Sequence, residues 1–227
     1  MPNPIYATDE DIALRASADF AILCPRDQTL AAGLDGVFDP SDRWSLRSAS
    51  VDFTAQGVLP GQVVQLLGPA TAFRAPGEAL IVVAASGHVV TLRRKGQPAG
   101  SGQPPSPASG LVGVEYLIGT LAPQIQGASV EVNIRVGVSA MIPGRTAADL
   151  FDPLELRDAV VLTTLQRQYR DMSREANGAN LDALAAKALA VRSDLDDLLA
   201  RTIIHWKTAA GSIADVPSMP FSARISR

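Results

Sequence analysis

The segment 152–207 holds two long runs of apolar residues at helical spacing, separated by Asn177 and Gly178, and it restricts the fold more than any other part of the chain. Its start carries a physical signal. Asp152 offers a carboxylate to free backbone N–H groups as N-cap, Pro153 fits the first helical position, and Glu155 stands where it can bond back to the cap. Leu154, Val161, Leu165 and Met172 then form one stripe, reinforced by Val160, Leu162 and Tyr169. In the second run Asn180 can cap, and Leu181, Leu184, Ala188, Val191, Leu195, Leu198 and Thr202 recur at alternating spacings of three and four. At 1.5 Å per residue the two helices are expected to be roughly 35 and 40 Å long. So short a connection makes them antiparallel neighbours, with the second helix running to Lys207.

Upstream, the pattern changes several times. Thr8 can cap a helix whose first turn holds Asp9, Glu10 and Asp11, with Ile12, Ala13 and Ala16 as its apolar face. Residues 8–37 therefore read as short helices, the second over 27–34 and ended by Asp35-Gly36, with Pro25 between them. From Trp44 to Arg94 the apolar runs are short and rich in β-branched residues, which predicts strands over 45–53, 62–67, 79–84 and 88–93. Pro60-Gly61, Pro76-Gly77 and Ser86-Gly87 supply the turns. Residues 97–110 consist of Gly, Pro, Ser, Gln and Ala, too little apolar surface to order themselves, and read as a flexible linker or an arm that orders on a partner. Residues 111–140 fit two readings. Val130, Val132, Ile134, Val136 and Val138 alternate like a strand, which propensity favours, while Ile125, Ala128, Val132 and Val136 share a helical face. Beyond Lys207 the periodicity stops. Residues 208–227 scatter Ile213, Val216, Met219, Phe221 and Ile225 among small residues, with Arg224 and Arg227 near the end, and read as either a frayed terminus or an extended strap on a neighbour.

The residues assemble no recognisable catalytic chemistry. Twenty basic and 23 acidic side chains give a net charge of -3, spread along the chain, which argues against a dedicated nucleic-acid binder. Arg93, Arg94 and Lys95 form the one dense basic cluster and read as a solvated strand end. The single cysteine, Cys24, makes an intrachain disulfide impossible and reads as a small core hydrophobe. His88 and His205 have no second ligand at metal spacing, and Asp194, Asp196 and Asp197 read as the polar face of a helix. No Gly-flanked nucleophilic serine occurs, and Gly96, Gly100 and Gly102 match neither a P-loop nor a dinucleotide fingerprint. Asp149, Asp152, Glu155 and Asp158 are accounted for as caps and helix-dipole partners. The expectation is a protein that is not an enzyme and carries no cofactor or metal. No apolar run approaches a membrane span and no leader is evident at the N-terminus, so synthesis in the cytoplasm without membrane insertion is expected.

The run Ala148-Asp149-Leu150-Phe151-Asp152-Pro153-Leu154-Glu155-Leu156-Arg157-Asp158-Ala159, leading to Leu165 and Tyr169, resembles the helical core of head-to-tail connector (adaptor) proteins of tailed bacteriophages and prophages. Tyr6-Ala7-Thr8-Asp9-Glu10-Asp11-Ile12 is similar to their acidic-capped first helix. The phrase Asp52-Phe53-Thr54-Ala55-Gln56-Gly57-Val58-Leu59-Pro60-Gly61-Gln62-Val63-Val64 looks like a β-module recurring in virion structural proteins. The resemblance implies an α+β fold: a helical bundle with a long C-terminal antiparallel helix hairpin and an inserted small β-barrel or sandwich module. Residues 1–39 and 111–207 form the helical core, 40–96 the inserted module, 97–110 a flexible loop and 208–227 an extended arm. It also makes 123–136 a helix. In function it implies a virion neck protein, a homo-oligomeric and dodecameric ring that binds the portal protein on one side and a tail-side terminator on the other, with DNA passing only as cargo. Trp206, Ile213, Val216, Met219, Phe221, Arg224 and Arg227 are then the candidates for portal and subunit contacts. The alternatives are a tail or baseplate subunit and a cellular module that binds a ligand or peptide.

Overall fold

The computed structural model describes residues 4–73, 77–138, 145–176, 179–207 and 213–214. They fall into two compact units, Thr8–Ala122 in one and Met1–Ala7 with Pro123–Arg227 in the other.

The first unit begins with α1 (Asp9–Arg15), held by a reciprocal cap. The Thr8 hydroxyl accepts from the Asp11 N–H at 3.3 Å, and the Asp11 carboxylate accepts from the Thr8 N–H at 2.8 Å. After the single turn of α2 (Phe20–Leu23), six antiparallel strands follow: β1 (Thr29–Asp39), β2 (Asp42–Arg47), β3 (Val63–Gly68), β4 (Glu78–Ser86), β5 (Val89–Arg94) and β6 (Leu111–Gly119). They close into a barrel in the order β1-β2-β5-β4-β3-β6, with β6 pairing back onto β1. Closure leaves no free sheet edge. Phe38, Leu46, Phe53, Leu66, Leu80, Leu92, Tyr116 and Ile118 fill the interior, and the Phe53 and Tyr116 rings meet edge to face at 5.7 Å. On the outer side of β3, Gln65 is also buried; its Oε1 accepts from the Ala21 N–H at 2.6 Å and its Nε2 donates to the Ser17 carbonyl at 3.4 Å, tying down the α1–α2 segment.

This barrel corrects the expected fold class. A closed six-stranded barrel spanning Thr29–Gly119 forms the body of one unit, and the chain is not a helical bundle with a long hairpin into which a β-module is inserted. The expected helix over 27–34 is the start of β1. Its Leu and Ala residues favour helix locally, but pairing on both sides buries Ala31 and Phe38 in the barrel and overrides that preference. Gly36 makes the pairing possible, because a Cβ there would lie 2.8 Å from the Val114 carbonyl oxygen. The predicted strand 45–53 stops at Arg47, where Asp35 gathers the following loop. Residues 97–110 form neither helix nor strand, yet they are not free. Arg43 donates from Nε and Nη2 to the Ser106 carbonyl at 3.0 and 2.5 Å, and Arg94 Nε donates to the Gln103 carbonyl at 2.6 Å. Composition predicts a loop here; two arginines, one of them 63 residues away, decide that it is fastened.

Of the ambiguous stretch 111–140, Leu111–Gly119 is strand β6 and Ala122–Val136 is helix, α3. Ile125, Ala128, Ser129, Val132, Asn133 and Val136 are buried on one face, whereas Ile134, which the strand reading would place beside Val132, is 74% exposed. Tyr6 Oη donates to Asn133 Oδ1 at 2.7 Å. A single 3-10 turn, Pro153–Leu156, leads into α4 (Arg157–Glu175), and α5 (Ala179–Arg201) packs against α4. Asp152 caps as expected, its Oδ1 accepting from the Leu154 N–H at 2.8 Å. Residues 159–165 of α4 are buried on every side. The last helix ends at Arg201 rather than Lys207, and the chain then enters the two-residue strand β7 (Trp206–Lys207), paired with β8 (Ile213–Ala214).

Candidate interaction surface

In the second unit two segments that flank the α4–α5 pair are stitched together. The backbone of Leu150 bridges Trp206, the Phe151 N–H donates to the His205 carbonyl at 2.9 Å, and Lys207 Nζ donates to the Ala148 carbonyl at 3.0 Å. Glu155 completes the join. The sequence places it at N3 with a bond back to the cap, but its carboxylate instead accepts from the His205 N–H at 3.2 Å and lies 2.6 Å from His205 Nδ1. A cap needs only one turn of chain to be predicted, whereas this contact joins residues fifty positions apart. His205 therefore sits in an extended segment beyond the helix.

Trp206, expected as an interface aromatic, is buried within its own chain at 5% exposure, with the Arg145 guanidinium 4.8 Å from its ring centroid. Ile213 pairs through its backbone with Lys207 in β8. Val216, Met219, Phe221, Arg224 and Arg227 lie outside the described residues. What the join does expose are three large apolar side chains: Phe151 at 44%, Leu154 at 61% and Ile203 at 59%. Acidic residues surround the first two in sequence, Asp149, Asp152, Glu155 and Asp158, of which Glu155 is engaged by His205, Asp158 by Arg157, and Asp149 has Lys207 nearby. Sequence reasoning counted Leu154 into the buried stripe of a helix. The 3-10 turn over Pro153–Leu156 changes the angle at which it projects, and that turn is invisible in the periodicity. The Leu181 and Leu189 side chains on α5 are exposed as well.

The barrel unit offers little reactive chemistry at its charged positions. Arg93 makes a two-pronged ion pair with Glu10, both bonds at 2.6 Å, Arg94 pairs with Glu78, and Lys95 Nζ donates to the Ala13 carbonyl at 3.2 Å. The Arg93 guanidinium holds the Glu10 carboxyl below its ordinary range. The basic cluster is therefore spent on intrachain contacts. Burial pushes the Cys24 thiol up to about 11, so it is neutral and a poor nucleophile at neutral pH. Among the described residues no three His, Cys, Asp or Glu side chains group to hold a metal ion, and no helix is long and apolar enough to cross a membrane. Comparison with protein-family models, with curated proteins and with solved structures finds no match to this chain.

Proposed function

We propose that this chain is a structural subunit that works by self-association: a ring-forming connector at the neck of a tailed-phage or prophage particle, between the portal protein and a tail-side terminator, with DNA passing through as cargo. The observation that carries the reading is the apolar surface left open on the unit holding α4 and α5. Phe151, Leu154, Leu181, Leu189 and Ile203 are all more than a third exposed. Apolar surface that becomes buried favours association, at about 25 cal/mol for each Å² removed from water. The dodecameric state, the portal partner and the virion location rest on the sequence resemblance. A net charge of -3 suits a conduit, because it does not hold a passing duplex.

The closed barrel supports a second reading, a tail or baseplate subunit, since such a module is a rigid block for building a wall. Its interior is packed with side chains, which counts against a module that takes a ligand inside the barrel. Size-exclusion chromatography with multi-angle light scattering tests self-association. A ring-sized species is expected, shifted toward smaller species by Leu189→Ser. A monomer at every concentration sinks both virion readings. Co-purification with portal rather than tail proteins favours the neck position over the baseplate.

A further inference from the structure

We propose that the outer wall of the barrel over β1 is a two-fold contact between copies of this chain, in which Arg47 of each copy meets Glu115 of the other across Leu34, Val37 and Val112. A closed barrel has no edge for strand addition, so association through it runs on outward side chains. Val37 pairs directly with Arg47 of β2 on one side and with Val112 of β6 on the other. Directly paired residues share a face, so these three side chains form one row across neighbouring strands. The register of β1 shifts between Gly33 and Gly36 and again between Gly36 and Val37, and this bulged stretch lets Leu34 face outward with Val37 although the two stand three apart. Phe38, next to Val37, lies in the barrel core. Leu34 and Val112 are 71% and 74% exposed.

The charges that flank the apolar row match each other across a two-fold axis. Arg47 is exposed on β2, and Glu115 is exposed on β6 opposite the stretch of β1 that holds Leu34. Glu115 makes no hydrogen bond or ion pair with the described residues. Arg47 lies close enough to Asp39 to lower that carboxyl, but the hydrogen bonds of Asp39 come from the Ser41 N–H and hydroxyl, at 2.8 and 2.5 Å. Because β1 runs between β2 and β6, an axis through its outer face between Leu34 and Val37 exchanges the two sides and sets each Arg47 against Glu115 of the second copy. Such a contact is complete at two copies, whereas a ring needs a head-to-tail contact. The inference therefore stands apart from the connector reading, which rests on the surface of the other unit.

Leu34 stands beside the axis, so in the full chain Leu34→Cys should be joined to its own counterpart by a short bis-maleimide, giving a covalent dimer. The parent chain, whose Cys24 is buried, should give none. In that background Arg47→Glu and Glu115→Arg should each cut the dimer yield several-fold, because each brings like charges together. Mixing the two variants should restore it, since one copy then presents two acids and the other two bases at the contact. No covalent dimer, a yield indifferent to the charge reversals, or a mixture no better than the single variants overturns the proposal. Light scattering separates it from the ring reading. A cross-linkable dimer with no larger species supports this contact and removes the ring, whereas a ring-sized species that gives no cross-link at position 34 overturns this contact and leaves the ring standing.

Discussion

Asp35 is a heavily bonded carboxylate of the barrel unit. It accepts from the Ser48 hydroxyl at 3.0 and 2.9 Å and from the Ala49 N–H, the Ser50 N–H and the Ser50 hydroxyl, each at 2.9 Å. These bonds tie β1 to the loop that follows β2 and terminate that strand. Burial pushes the Asp35 carboxyl up, but the bonds from Ser50, Ser48 and Ala49 together outweigh it and hold the group at about 2. An unfolded aspartate titrates near 3.9. The folded value is the lower of the two, so the stabilisation is complete above the unfolded value and is lost as pH falls through about 2. Asp35→Asn should therefore cost about 1 kcal/mol in urea unfolding at neutral pH, and the gap to the parent protein should close as pH falls from about 4 toward 2. A gap that stays constant with pH would show that the charge is not what holds the loop. In the sequence Asp35-Gly36 read as the end of a helix, because its acceptor role depends on partners more than ten residues away.

At the scale of single elements, agreement follows the range of the forces involved. Local signals place α1, the turns at Pro60-Gly61 and after Ser86, and the core of β3, β4 and β5, since a cap or a β-branched run acts over a few residues, while the expected Pro76-Gly77 turn falls partly outside the described residues. Neither β1 nor β6 announces itself. Each is stabilised by the other, through a register running from Thr29 opposite Gly119 to Phe38 opposite Leu111. The 97–110 connection shows the same dependence, being held by Arg43 from a strand 63 residues away from Ser106 and by Arg94 at the end of the strand that leads into it. Arg43→Ala removes both donors to the Ser106 carbonyl and should cost about 1–2 kcal/mol. Hydrogen–deuterium exchange should then rise across 98–106 while the barrel strands keep their protection. Unchanged exchange in that connection would mean that its own turns suffice to order it.

At the scale of the whole molecule, each unit has a core of its own. Phe38, Phe53, Leu80 and Tyr116 serve the barrel, while Val132, Leu156, Val160, Leu165 and Leu195 serve the helical unit. A core contained within residues 8–122, in a sheet with no open edge, should not need the remainder of the chain to form. Expressed alone, 8–122 should give dispersed amide resonances and one cooperative urea transition. A collapsed or aggregated product would show that the barrel depends on the second unit.

The sequence by itself determined the capped start at Asp152, the helical character of 157–175 and 179–201, and the β-character of 63–68, 78–86 and 89–94. These are matters of residue type and short spacing, and the physics behind them is local. Only the tertiary structure decided that 29–39 is strand, that the strands close into a barrel, that Glu155 grips His205 and that Trp206 is buried while Phe151, Leu154 and Ile203 are exposed. Those outcomes depend on which distant groups share a hydrogen bond or a core, and a one-dimensional pattern does not encode that directly. The helix pair that constrains the chain so strongly thus carries its candidate interaction surface at the junction just before and after it, where the periodicity has already stopped.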